Sequence, residues 1–215
     1  GFEKDMYFEM AAQDIRALPK LEGTVHVNMA LIIKFMPNYF FNPDKFPEID
    51  QRNGTEDDSF LFNQGATRGL GKIRFHDFNI AYNSIDLPNL TIFKEQIKTL
   101  QEMLLTAPPE KEQQGDIDYL LILGELITLV AYGQLIIENA EIYKVEDAFL
   151  DQIFDFMIRD FSKFALQLYS KTSSTDVQMA ACLKMIKKPV VNPERFERIW
   201  SEYVEPLNNA YEMNP

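Results

Sequence analysis

The stretch Tyr119-Leu-Leu-Ile-Leu-Gly-Glu-Leu-Ile-Thr-Leu-Val-Ala-Tyr-Gly-Gln-Leu-Ile-Ile137 is apolar on almost every helical face. A helix that lacks a polar stripe is either buried in a protein core or buried in a membrane. Glu125 near its middle, acidic residues at both ends and no basic flank argue against a membrane span. The segment is therefore read as the central helix of a bundle, with Gly124 and Gly133 admitting close neighbours at some cost in helix propensity. Glu125 is either a buried functional carboxylate or a hydrogen-bonded residue at the rim.

Working outward, the apolar period stays helical from Pro88 onward, and helices are predicted at about 89–106, 115–142, 145–171, 174–187 and 193–211. Pro108-Pro109 separates the first two. Ser173-Ser174 is expected to cap the fourth, Lys188-Pro189 to end it, and Asn192-Pro193 to start the last. The helix predicted at 145–171 carries Phe149, Ile153, Phe156, Met157, Phe161, Phe164 and Leu168 on one stripe, with Asp147, Asp151, Asp155, Arg159 and Lys163 elsewhere, as ordinary amphipathy requires. Trp200 and Tyr203 are expected to close the core, or else to face another subunit. The fold class predicted is all-α, an antiparallel helical bundle with a long structured loop before it.

Residues 37–87 change character. Pro37, Pro43, Pro47, Asn53-Gly54, Gly65, Gly69 and Gly71 interrupt any sustained period, while nine aromatic residues from Tyr39 to Tyr82 give the segment reason to pack across the bundle. The chain is thus divided into residues 1–41, a loop-rich connection 42–87 and a bundle 88–215. The run from Gly65 to Arg74 offers backbone N–H groups and three cations to an anion, but its spacing matches no phosphate loop, and a glycine-rich turn that lets the chain cross the bundle is the better reading.

Of 215 residues 46% are hydrophobic, enough for a sizeable core, and the formal net charge of −12 disfavours nucleic acid or an anionic membrane as partner. Two histidines and one cysteine supply neither a zinc site nor a disulfide framework. Cys182, within Met179-Ala-Ala-Cys-Leu183, reads as a buried thiol rather than a nucleophile, and a reducing cytoplasm fits.

At the other end, Asp5 to Leu18 has helical spacing, and Pro19 disfavours helix at the residues before it. Thr24 is a good N-cap for a second apolar helix that begins at Val25. Glu22 therefore falls in a helix-to-helix joint. Shielded by Leu21 and nearby aromatics, its carboxyl would be pushed up toward the range of a general base; exposed, it is a solvated glutamate near a helix N-terminus.

Residues 1–24, Gly-Phe-Glu-Lys-Asp-Met-Tyr-Phe-Glu-Met-Ala-Ala-Gln-Asp-Ile-Arg-Ala-Leu-Pro-Lys-Leu-Glu-Gly-Thr, resemble the stretch of acyl-CoA dehydrogenases that ends in a glutamate-glycine-threonine motif. The resemblance implies that Glu22 removes the α-proton of a fatty acyl thioester while FAD accepts the β-hydride, and that Gly23 and Thr24 stand beside the flavin. It further implies an acyl-CoA substrate, an electron-transfer partner and a homo-oligomer. In that family the β-domain and most of the flavin and acyl-CoA pockets precede the position of Gly1, so this chain by itself is not expected to hold FAD. Gln13 stands where the family usually has a basic residue, and Pro19 and Lys20 also depart from its pattern, which implies a differently shaped loop. The alternative is a non-catalytic helical dimerisation or docking domain.

Overall fold

The computed structural model describes residues 8–21, 23–45 and 73–208, and these contain eight α-helices and no strand. They are α1 (Phe8–Leu21), α2 (Val25–Phe41), α3 (Phe78–Asn83), α4 (Pro88–Thr106), α5 (Ile117–Tyr143), α6 (Asp147–Tyr169), α7 (Asp176–Met185) and α8 (Pro193–Ile199). The all-helical expectation therefore holds for the described residues.

Both prolines that were expected to stop helices are passed. α1 continues through Pro19 to Leu21, and α2 continues through Pro37 to Phe41. An internal proline costs a backbone hydrogen bond, about 3 kcal/mol or more. In α2 the turn beyond it carries Tyr39 and Phe40, which are buried, and burying two aromatic side chains at about 1.5–3 kcal/mol each offsets that loss. The connection predicted to be irregular also holds α3, whose N-terminus is capped by Asp77 accepting from the Asn79 backbone N–H at 2.9 Å.

α5 packs against α2, α3 and α6, and Phe93 of α4 lies against its Gly133, while α4, α5, α7 and α8 pack on α6, so the two helices share the central position. The environment of α6 revises the amphipathic reading: Asp151 and Asp155 are buried, whereas Phe156 is 54% exposed. Period alone assigns aspartates to water, but here a fifth element, α8, lies across their side of the helix.

One core cluster runs from α2 to α7, and rings link it across helices. Tyr39 stacks on Phe78 at 5.1 Å, Phe78 meets Tyr82 edge-on, Tyr82 stacks on Phe93, and Phe93 meets Phe154 and Phe161 at 5.4 and 5.5 Å. Such pairs contribute about 0.5–1.5 kcal/mol each beyond their burial. The described aromatics of the 37–87 region therefore do pack across the bundle; Phe46, Phe60 and Phe62 lie outside the described residues.

Buried amides hold the helix ends. Gln113 and Gln178 exchange hydrogen bonds, Gln113 Nε2 to Gln178 Oε1 at 2.7 Å and Gln178 Nε2 to Gln113 Oε1 at 3.1 Å. Each also donates to a loop carbonyl, of Ser173 and Ala107 respectively, so the pair joins the α4–α5 connection to the start of α7. Gln178 is at the same time the N3 partner of Thr175 in a capping box. Thr175, rather than Ser173-Ser174, is therefore the cap of α7. The last predicted helix is α-helical only to Ile199; a π turn (Trp200–Val204) and a 3₁₀ turn (Glu205–Leu207) follow, and 209–211 lie outside the described residues.

Candidate functional site

The joint predicted between two helices is present. α1 ends at Leu21, Gly23 has φ +95°, and Thr24 caps α2 with its side chain accepting from the Val27 backbone N–H at 3.5 Å. Asn28 closes the turn through its Nδ2, which donates to the Gly23 carbonyl at 3.5 Å. The left-handed φ explains why glycine stands at position 23 on local grounds alone, and a Cβ there would also press on Asn28 Oδ1 at 3.3 Å. Glu22 itself lies outside the described residues.

The expected shielding is not supplied by Leu21, which is 77% exposed. Val25 and Val27 are also half-exposed, and Thr24 and His26 face water. Desolvation needs apolar atoms on all sides of a carboxylate.

Elsewhere the titratable groups are set for structure. Tyr39 donates its hydroxyl to Gln134 Oε1 at 2.8 Å, and Gln134 donates onward to Glu138 Oε1 at 2.8 Å. Burial, then the negative charges of Glu138 and Asp77, hold the Tyr39 hydroxyl well above the ordinary tyrosine range, so it acts as a neutral donor. Beside it an apolar cleft of about 160 Å³ is lined by Ile32, Phe35, Met36, Phe75, Ile127 and Ala131, among others. Cys182 is fully buried and its thiol is pushed up by burial to about 11, which removes it as a nucleophile at neutral pH. Glu125 is partly buried on α5, beside the fully buried Leu126.

Among the described residues no cluster of His, Cys, Asp and Glu could hold a metal ion. Of the run Gly65–Arg74 only Ile73 and Arg74 are described; the Ile73 carbonyl accepts from Asn38 Nδ2 at 2.7 Å. α5 is long and apolar enough to cross a membrane by length and composition, and here it packs between α2 and α6.

The charged cluster that sequence reading passed over is Asp151, Asp155, Arg159 and Arg195. Arg195 reaches from α8 to the Asp151 carboxylate and donates through Nε to Gln152 Oε1 at 3.1 Å. Arg159 Nε donates to Asp155 Oδ1 at 2.8 Å, and Arg195 Nη2 stands 3.8 Å from Asp155 Oδ2. The i, i+4, i+8 spacing of Asp151, Asp155 and Arg159 put them on one face; nothing in it pointed to Arg195, about forty residues on. The carboxylates are neutralised by arginines and occupied by hydrogen bonds, so the cluster is a clasp between helices.

Trp200 and Tyr203 do not close the core; they are 46% and 45% exposed. Tyr203 lies on the Phe149 ring at 4.9 Å and Phe196 stacks on Trp200, which leaves an aromatic edge along α8 and the turns after it.

Neither a family model, nor a curated protein, nor a solved structure matches this chain.

Proposed function

We propose that this chain is the C-terminal helical portion of an acyl-CoA dehydrogenase-like flavoprotein, in which Glu22 is the general base for α,β-dehydrogenation of acyl-CoA thioesters. The observation that carries the reading is the left-handed Gly23 followed by the Thr24 cap, which forms a sharp helix-to-helix joint directly after Glu22. A base for a carbon acid needs defined reach, and a capped joint between two helices limits the freedom of the residue preceding it.

Gly23 and Thr24 fit the edge of a flavin site. The Thr24 oxygen accepts from its own helix, so its O–H can donate outward from an exposed position, and Gly23 presents no side chain. When bound, FAD would supply the acceptor for the β-hydride. The exposed Leu21, Val25 and Val27 beside the joint offer apolar surface to the rest of such an enzyme, which would complete the desolvation that Glu22 needs. An electron-transfer partner, a homo-oligomeric assembly and a cytoplasmic setting belong to the same proposal.

A second reading, a non-catalytic docking or dimerisation domain, is favoured by the absence of any other chemically poised group among the described residues. Stopped-flow flavin reduction by saturated acyl-CoAs separates the two in the flavoprotein that carries this chain. Glu22→Gln keeps the shape and removes the base, so reduction should slow by about 10² to 10⁴ with little change in binding; Glu22→Asp should fall between. Unchanged reduction in Glu22→Gln would show that the base lies elsewhere.

A further inference from the structure

We infer that the open groove between α5 and α6 is a docking site for a basic amphipathic helix of another protein. Tyr132, Leu135 and Tyr143 on its α5 side are between 53% and 75% exposed, and Phe149 and Ile153 line its α6 side. The groove measures about 300 Å³, and no charged side chain lines it. From Tyr132 to Tyr143 is three helical turns, about 17 Å, the length over which a partner helix sets apolar anchors at i, i+3 or i+4 and i+7 into one groove. Beyond Phe149 the apolar surface continues, because the Tyr203 ring rests on it at 4.9 Å and Trp200, stacked on Phe196, lies one turn before Tyr203. Tyr132, Tyr143, Trp200 and Tyr203 are each about half exposed or more, and at about 150–250 Å² per buried aromatic they offer on the order of 100 Å² apiece. With Leu135 and Phe156 the face comes to roughly 600 Å², the upper end for the largest apolar patch of a typical monomer, and such patches mark interaction sites.

Charge selects the partner. Residues 132–160 and 193–207 supply this face, and within them Asp155 pairs with Arg159 and Asp151 with Arg195. Nine carboxylates are then left against Lys144 and Arg198, and Arg198 is already bonded to Glu146 at 3.0 Å. Glu146 and Glu202 stand beside Tyr203, at the edge of the apolar surface. An apolar floor in an acidic surround fits a helix that carries leucine-like residues on one face and Lys or Arg on the other, whose long stems also cover apolar rim. A second copy of this chain, with its own −12, or an anionic membrane meets like charge at the same edge. The inference rests on the docking reading and names its partner class; flavin reduction decides the role of Glu22, and peptide binding decides the groove.

Fluorescence anisotropy of the whole chain with three labelled peptides tests it. One peptide has leucines at i, i+3, i+4 and i+7 and lysines elsewhere, the second has glutamates in place of the lysines, and the third is the first scrambled so that no apolar stripe forms. The first should bind with a Kd of roughly 10 µM or below, and the other two at least about 10-fold more weakly. Leu135→Lys sets a cation in the groove and should weaken binding of the first peptide by at least about 10-fold. Its position is half-exposed, so the helix content by circular dichroism should be unchanged. Leu105→Lys adds the same charge at an exposed leucine of α4, which lines no part of the groove, and should change binding less than about 2-fold. No binding of the first peptide at about 100 µM, equal binding of the acidic or scrambled peptide, or equal weakening by the two substitutions would overturn the inference. A dimer in sedimentation equilibrium that Leu135→Lys dissociates would overturn it too, giving the groove to a second copy and leaving the dimerisation reading in place. Binding to phosphatidylcholine vesicles that Leu135→Lys abolishes would give the groove to lipid instead.

Discussion

The carboxylate of Asp151, on α6, accepts the backbone N–H of Asn89 at 2.8 Å, in the first turn of α4. α4 begins with Leu87 as its N-cap, which has no side chain able to accept, and Pro88, which has no N–H. The first free donor of the helix is therefore capped from another helix. Asn89 returns the contact through Nδ2 to Asp151 Oδ2 at 3.1 Å, and its Oδ1 accepts from the Val190 backbone N–H at 2.7 Å. With Arg195 on the same carboxylate, α4, α6 and α8 meet at one aspartate.

Asp151→Ala should therefore be among the most destabilising substitutions in the chain, at about 3–5 kcal/mol, because it strips a nearly buried arginine of its partner and a helix of its cap. Arg195→Met should cost less, since Asn89 still satisfies Asp151, and the double variant should be more stable than the sum of the two losses. Urea unfolding measures all three. A loss under about 1 kcal/mol for Asp151→Ala would rule out the clasp as a stabilising element.

The two glycines of α5 should respond differently to alanine. A Cβ at Gly133 would run into the Tyr82 hydroxyl, which donates to the Val130 carbonyl at 2.7 Å and is held by stacked rings. Overpacking of about 1–3 kcal/mol then exceeds the ~1 kcal/mol gained in helix propensity. At Gly124 the atom met is Met29 Sδ, 2.8 Å away, at the flexible end of a side chain. Thermal unfolding should rank Gly133→Ala below Gly124→Ala, and adding Tyr82→Phe should recover part of the Gly133→Ala loss. The reverse ranking would refute the close approach.

Lys144 ends α5 with φ 55°, and the Val145 backbone N–H returns to the Ala140 carbonyl at 2.9 Å. A left-handed cap suits glycine, and a side chain there costs about 1–2 kcal/mol. Lys144→Gly should raise stability by about 1 kcal/mol after the unfolded-state entropy of glycine is subtracted. A drop in the denaturation midpoint would mean that the lysine side chain contributes more than the cap geometry costs.

For Cys182 the sign runs against alkali. Its folded pKa of about 11 lies above the ordinary 9.0, so the fold favours the neutral thiol. That contribution is complete below pH 9 and is lost as pH rises toward 11, at no more than about 1.4 kcal/mol per pH unit for this group. Cys182→Ala should flatten the stability profile between those values, at the expense of a small cavity. Aromatic disulfide reagents should label the native thiol only as fast as the protein opens; labelling at the rate of a free thiol at pH 8 would place Cys182 at the surface.

Apolar period determined the helices from Pro88 onward, because a 3.6-residue repeat is a local property that neighbours in sequence decide. Local chemistry likewise determined the Thr24 and Asn192 caps and the break around Gly23. The burial of Asp151 and Asp155, the exposure of Phe156, Trp200 and Tyr203, and the passage of α2 through Pro37 were decided only in three dimensions. For the buried aspartate and the passed proline the deciding partner lies far along the chain: Arg195 for Asp151, and Phe78 for the ring of Tyr39 that anchors the turn after Pro37. A carboxylate is buried when an arginine reaches it and a proline is tolerated when the turn beyond it packs, and both depend on free energies that no local window contains.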